Sequence, residues 1–203
     1  MTVRVTLVSP AMNAALREAR FDGDAPLDRA GDRAGERAAR AAASAVPGGG
    51  LVLSGTSQRC RETATALGLA ARPEPALTGW DLGRWSGRRL DEVGAAEPAA
   101  VAAWIGDPSA APHDGESLRE LVERVGGWLD GVGGEGGADR EALSVLAVVE
   151  PSVVRAAVVH GLALPLEAFW RLDVAPLALT ELSGRSGRWN VRLGRPLTAL
   201  QGL

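Results

Sequence analysis

The chain has 203 residues, 46% of them hydrophobic, a formal net charge of -3 at neutral pH and a mean hydropathy of +0.02. That length and apolar share suit one compact domain over residues 1–203, and the mild negative charge argues against general nucleic-acid binding. The single cysteine, Cys60, excludes an intrachain disulfide framework, and no apolar run approaches the roughly 20 residues of a membrane span. Met1-Thr2-Val3-Arg4 leads into a strand and not into a signal-peptide apolar region, so a cytoplasmic location away from membranes is expected.

Taken in chain order, strand and helix signals alternate. Val3–Val8 is a β-branched run suited to a buried strand, and residues 27–45 are an Ala/Arg-rich helical stretch. Leu51-Val52-Leu53-Ser54 reads as a second buried strand, followed by a helix over 58–67 that Gly68 closes. Residues 70–114 are interrupted by Pro73, Pro75, Pro98, Pro108 and Pro112, which predicts an irregular helical cap beside the sheet. Glu116-Ser117 starts a helix whose apolar positions Leu118, Leu121, Val122, Val125 and Leu129 share one face. The glycine-rich segment 131–137 reads as a surface loop before a strand over 143–149. Residues 177–182 and 189–193 read as a closing antiparallel pair.

The most informative stretch is Val148-Val149-Glu150-Pro151-Ser152-Val153-Val154-Arg155, a buried strand that ends on an acid and turns through proline into a helix. Proline suits the first helical position because its missing N–H costs nothing there. The turn therefore places Glu150 at the mouth of a parallel sheet, where ligands bind in such folds.

The order of these pieces resembles the histidine phosphatase superfamily, the phosphoglycerate-mutase-like fold, over nearly the whole chain. The family's Leu-Val-Arg-His-Gly is similar to Leu7-Val8-Ser9-Pro10-Ala11. Its second segment resembles Ser54-Gly55-Thr56-Ser57-Gln58-Arg59-Cys60-Arg61-Glu62-Thr63-Ala64, with Arg59 in the place of the phosphate-pocket arginine. Leu77-Thr78-Gly79-Trp80-Asp81-Leu82-Gly83-Arg84-Trp85-Ser86-Gly87 is similar to a third segment and puts Gly79 where the family's proton-donor glutamate falls. Gly115-Glu116-Ser117, followed by Arg124, matches a fourth, and Glu150 takes the place of the second catalytic histidine. The resemblance implies a three-layer α/β/α sandwich with a mostly parallel central sheet and a cap at about 70–114.

Phosphoryl transfer through a phosphohistidine needs an imidazole nucleophile, a cationic cradle and a general acid. Pro10 carries no nucleophile, and Glu150 adds an anion where the resemblance expects a cation. A non-phosphatase protein is expected on that ground: a repurposed enzyme of small-molecule metabolism, or alternatively a pseudophosphatase that binds a ligand or protein. The candidate acid/base set is Glu150, His113, Asp81 and Glu116, and the candidate substrate contacts are Arg59, Ser9, Trp80 and Trp85. Each has a bland reading beside it. Glu150 and Glu116 can serve as helix-terminal carboxylates, Asp81 can bind a neighbouring amide, and both tryptophans can pack core. His160 reads as a packed or surface helix residue, and Trp104, Trp128, Trp170 and Trp189 read as core. No metal or cofactor signature is present. A small molecule is the expected partner, and dimers among relatives of the fold make a homodimer an expectation.

Overall fold

The computed structural model describes residues 2–21, 23–45, 50–132, 144–185 and 187–197. Its centre is a six-stranded sheet in the order β3-β2-β4-β1-β5-β6, made of β1 (Val3–Val8), β2 (Leu51–Ser54), β3 (Arg72–Pro73), β4 (Ser144–Val148), β5 (Ala178–Arg185) and β6 (Arg188–Pro196). The first four strands named in that order run parallel, whereas β5 pairs antiparallel with both β1 and β6. The closing pair is longer than its apolar residues indicate, because main-chain pairing continues through Ser183 to Arg185 and Arg192 to Pro196. Residues 133–137 of the glycine-rich segment and Leu143 lie outside the described residues.

Val145, Leu146, Ala147 and Val148 are fully buried, as expected of a strand covered on both faces. On one face Val3, Val5, Leu7, Val145 and Ala147 pack under α6 (Leu118–Gly131) and α7 (Pro151–Gly161). On the other, Val8, Leu146 and Val148 meet Ala38 and Ala42 of α2 (Arg29–Ala45), and Cys60 and Ala64 of α3 (Gln58–Ala66). The result is the three-layer arrangement. Helix α6 begins on Ser117, whose hydroxyl accepts from the Glu120 amide at 3.2 Å while the Glu120 carboxylate accepts from the Ser117 amide at 2.8 Å. This reciprocal capping satisfies two amides that the helix leaves open. Where α6 meets α7, Gly126 is required by close approach: a Cβ there would stand 2.2 Å from Nδ1 of His160.

Besides the short helix α1 (Ala14–Arg17) and a 3₁₀ turn at Leu166–Arg171 after α7, the remaining described elements lie between β3 and α6. Two 3₁₀ turns, Pro75–Leu77 and Gly83–Trp85, precede helices α4 (Leu90–Ala96) and α5 (Pro98–Gly106). This segment shares an aromatic cluster with Phe21 and Trp170. Trp104 lies 5.2 Å from Trp80, 5.6 Å from Trp85, 5.7 Å from Phe21 and 4.7 Å from Trp170 by ring centroids. These contacts bury large areas and hold the segment against the carboxyl ends of the strands.

Candidate active site

Three parallel strands release their chains at one edge: β1 into Ser9-Pro10-Ala11, β2 into Gly55-Thr56-Ser57, and β4 into Val149-Glu150-Pro151. Backbone bonds lock these exits together, the Val149 amide donating to the Val8 carbonyl at 2.9 Å and the Gly55 amide to the Val148 carbonyl at 2.8 Å. Glu150 occupies the residue before α7, yet its side chain makes no capping bond to that helix. It turns toward α3 instead. The Arg59 guanidinium grips both carboxylate oxygens, with Nε donating to Oε1 at 3.3 Å, and the two side chains are 9% and 3% exposed. A bidentate geometry of this kind compensates two charges taken out of water.

Above that pair the Ser57 hydroxyl donates to Glu150 Oε1 at 2.7 Å. The same Oγ accepts from the Cys60 amide at 3.2 Å and so caps α3, which fixes its position relative to the carboxylate. Burial and the neighbouring Glu150 carboxylate push the Cys60 thiol well above its ordinary range. Ser57 is half-buried and lines a cleft of about 480 Å³ shared with Gly23, Asp24, Thr56, Thr78, Gly79, Trp80, Asp81 and Ser86. Sequence reasoning passed over Ser57. The available signal was a serine immediately before a helix, on the sheet edge to which Glu150 had already been assigned.

The structure distributes the other candidates unevenly. Asp81 lines the cleft, its Oδ1 accepting from the Gly83 amide at 2.9 Å. Trp80 also lines it, anchored by Nε1 to the Glu116 carbonyl at 2.7 Å. Glu116 itself faces away, in a two-point pair with Arg124 at 2.7 and 2.8 Å. Arg124 in turn donates to the carbonyls of Ala76, Thr78 and Gly79, so this pair supports the cleft wall from behind. Ser9 is fully buried, and its hydroxyl ties the end of β1 to the carbonyl of Ala175 and the amide of Ala178. Trp85 is likewise without exposed surface. His160 pairs with Asp130 at 3.0 Å, in the last turn of α7 and at the opposite end from Glu150. Among the described residues no helix is long and apolar enough to cross a membrane, and no group of three or more His, Cys, Asp or Glu side chains is placed to hold a metal ion.

His113 is enclosed rather than presented to the cleft. It has no exposed surface and stands among Trp80, Trp85 and Trp104, while Nδ1 accepts from the Gly115 amide at 3.1 Å. Burial holds its pKa below the usual 6.5, against the opposing pull of Asp81 and Asp114 and with a smaller push from Arg84. The folded state therefore binds this proton less readily than the unfolded chain, which takes it up below about pH 6.5. The stability it supplies is complete above that value and declines as the pH falls toward the folded pKa, by no more than about 1.4 kcal/mol per pH unit. Urea midpoints measured from pH 7 to pH 5 should show this loss, and His113→Gln should flatten it. An unchanged profile in the variant would show that His113 titrates alike in the folded and unfolded chain.

The class is defined first by the architecture: an α/β protein whose carboxyl-end cleft sits over a buried arginine–carboxylate pair. Residues 11–195 match the model of the histidine phosphatase superfamily (branch 1), and the chain belongs to that family. A glucosyl-3-phosphoglycerate phosphatase of Mycolicibacterium vanbaalenii is 30% identical over 172 residues, covering 69% of this chain and 73% of that relative. The protein of the same name from Mycobacterium tuberculosis strain H37Rv is 30% identical over 150 residues, covering 66% of this chain and 64% of its own length. Among solved structures, a mycobacterial glucosyl-3-phosphoglycerate phosphatase in complex with VO3 superposes with a TM-score of 0.82 at 25% identity, covering 96% of this chain and 99% of that one.

These relatives overturn the expectation of a non-phosphatase protein, in both its repurposed-enzyme and pseudophosphatase forms. They are named as phosphatases of a small molecule, glucosyl-3-phosphoglycerate. Pro10, Gly79 and Glu150 stand where the resemblance expects nucleophile, acid and second histidine, and they exclude only one chemical route, attack by an imidazole. Another route remains, because a carboxylate beside a hydroxyl is a second way to generate an oxygen nucleophile.

Proposed function

We propose that this chain is a phosphatase that hydrolyses the phosphomonoester of a small organic molecule, with Ser57 as nucleophile, Glu150 as general base and Arg59 as the neighbouring cation. The observation that carries the assignment is the 2.7 Å contact from Ser57 Oγ to Glu150 Oε1 at the floor of an open cleft. Nucleophile and base within hydrogen-bond reach, with the base oriented by a third group, is the arrangement that activated hydroxyls use. The phosphatase names of the relatives support the reaction class.

In this reading Ser57 Oγ attacks phosphorus as its proton passes to Glu150. The ester P–O bond breaks, and the leaving alcohol takes the proton from Glu150. Water then attacks the phosphoserine, again giving its proton to Glu150, and inorganic phosphate leaves with Ser57 reprotonated. The Arg59 charge offsets the anion of Glu150 and favours the phosphoryl group above it. The test is phosphate release from p-nitrophenyl phosphate, followed by peptide mass spectrometry of acid-quenched enzyme. Turnover with a phosphoryl group on Ser57, abolished in Ser57→Ala, is the expected result. Turnover that Ser57→Ala leaves unchanged, or no release above background, would overturn the assignment.

A further inference from the structure

We infer that the cleft selects phosphoesters whose organic part is an uncharged polyol, and discriminates against esters that carry a carboxylate beside the phosphate. The inference rests on the phosphatase reading of the same site and narrows its substrate class. Its basis is the chemistry of the walls. Asp24 and Asp81 both line the cleft and both are exposed, together with Thr56, Thr78 and Ser86, whereas the lining includes no arginine and no histidine among the described residues. Arg59 is buried and gripped to Glu150, and Arg61 is held on the Thr56 carbonyl.

Two carboxylates facing a cleft repel a third, and the repulsion weakens as salt screens exposed charges. Toward hydroxyl groups the same carboxylates are strong acceptors. Asp81 is held for that role, because one oxygen accepts from the Gly83 amide and fixes the direction of the other. Asp24 is held from two sides: its backbone has a φ of 60°, and its Oδ1 accepts from the Gln58 amide. Trp80 lines the cleft with 8% of its surface exposed, so it adds a small apolar contact beside the hydroxyl-bearing rim. The named ester of the relatives is a phosphoglycerate derivative, an acid; the walls of this cleft suit a different organic part.

Two probes isolate the feature, since sn-glycerol 3-phosphate and L-3-phosphoglycerate share the configuration at C2 and differ only in a hydroxymethyl group against a carboxylate. Calorimetry on the Ser57→Ala protein measures both without turnover, with inorganic phosphate as the third ligand. The expected result is that glycerol 3-phosphate binds roughly tenfold tighter than 3-phosphoglycerate at low salt. Asp81→Asn and Asp24→Asn, added singly, should each narrow the ratio, as should raising the salt concentration. Asparagine keeps the size of the side chain and tolerates the left-handed backbone at position 24. Phosphate binding with equal affinity for the two esters, a preference for the acid, or a ratio that neither variant moves overturns the inference while the phosphatase reading stands. Failure of phosphate and both esters to bind removes that reading and the inference together.

Discussion

Glu150→Gln is expected to lower phosphate release by about 10²–10⁴-fold, the range typical of losing a general base. The amide keeps the size of the carboxylate and can still accept from Ser57 Oγ, so the serine stays in place while the proton acceptor is lost. Arg59 then loses its counter-charge in a site where both side chains are nearly inaccessible, and some loss of stability is expected alongside. Ser57→Ala separates the two effects. It leaves the Arg59 to Glu150 pair intact and costs about 1 kcal/mol through the lost cap of α3, yet should remove the same catalysis. Large activity losses in both variants with unequal stability losses are the signature to look for. A Glu150→Gln enzyme that retains full kcat would show that the carboxylate is structural.

The second large effect is on folding. Arg59→Leu leaves the Glu150 carboxylate buried without its cation, and breaking a pair of this kind costs about 3–5 kcal/mol. Combining Arg59→Leu with Glu150→Leu should recover much of that loss, because two apolar groups need no mutual compensation. The cycle is read from urea midpoints at constant slope. A fully additive cycle would mean that the two charges contribute independently and that water reaches the carboxylate.

Much of the architecture was legible because it is written in local pattern. The β-branched runs at Val3–Val8 and before Val149, the Ser117 start of α6 with its apolar stripe, and the proline after Glu150 each carry a short-range physical signal. The position of Glu150 at the sheet edge followed from strand, turn and helix in succession, whereas its pairing with Arg59 of α3, and not with Arg155 of its own helix, was decided by the tertiary structure. The family resemblance was legible for the same reason, since its segments are the exits and helix starts themselves.

What the chain order could not supply was the contact set between exits. Ser57 and Glu150 are 93 positions apart, and only the parallel pairing of β2 with β4 puts the hydroxyl on the carboxylate. Asp24 enters the cleft from a loop after α1 that carries no periodic signal. His113 stands two residues before Gly115-Glu116-Ser117, which suggested a place at the cleft. Packing of Trp80, Trp85 and Trp104 around its ring decided otherwise, through apolar contacts between residues far apart in sequence. The sequence by itself determined the elements, their order and the residue at each strand exit, because those depend on local periodicity and turn chemistry. The tertiary structure alone decided which side chains share the cleft, because that depends on sheet register and on which way each exit loop folds back.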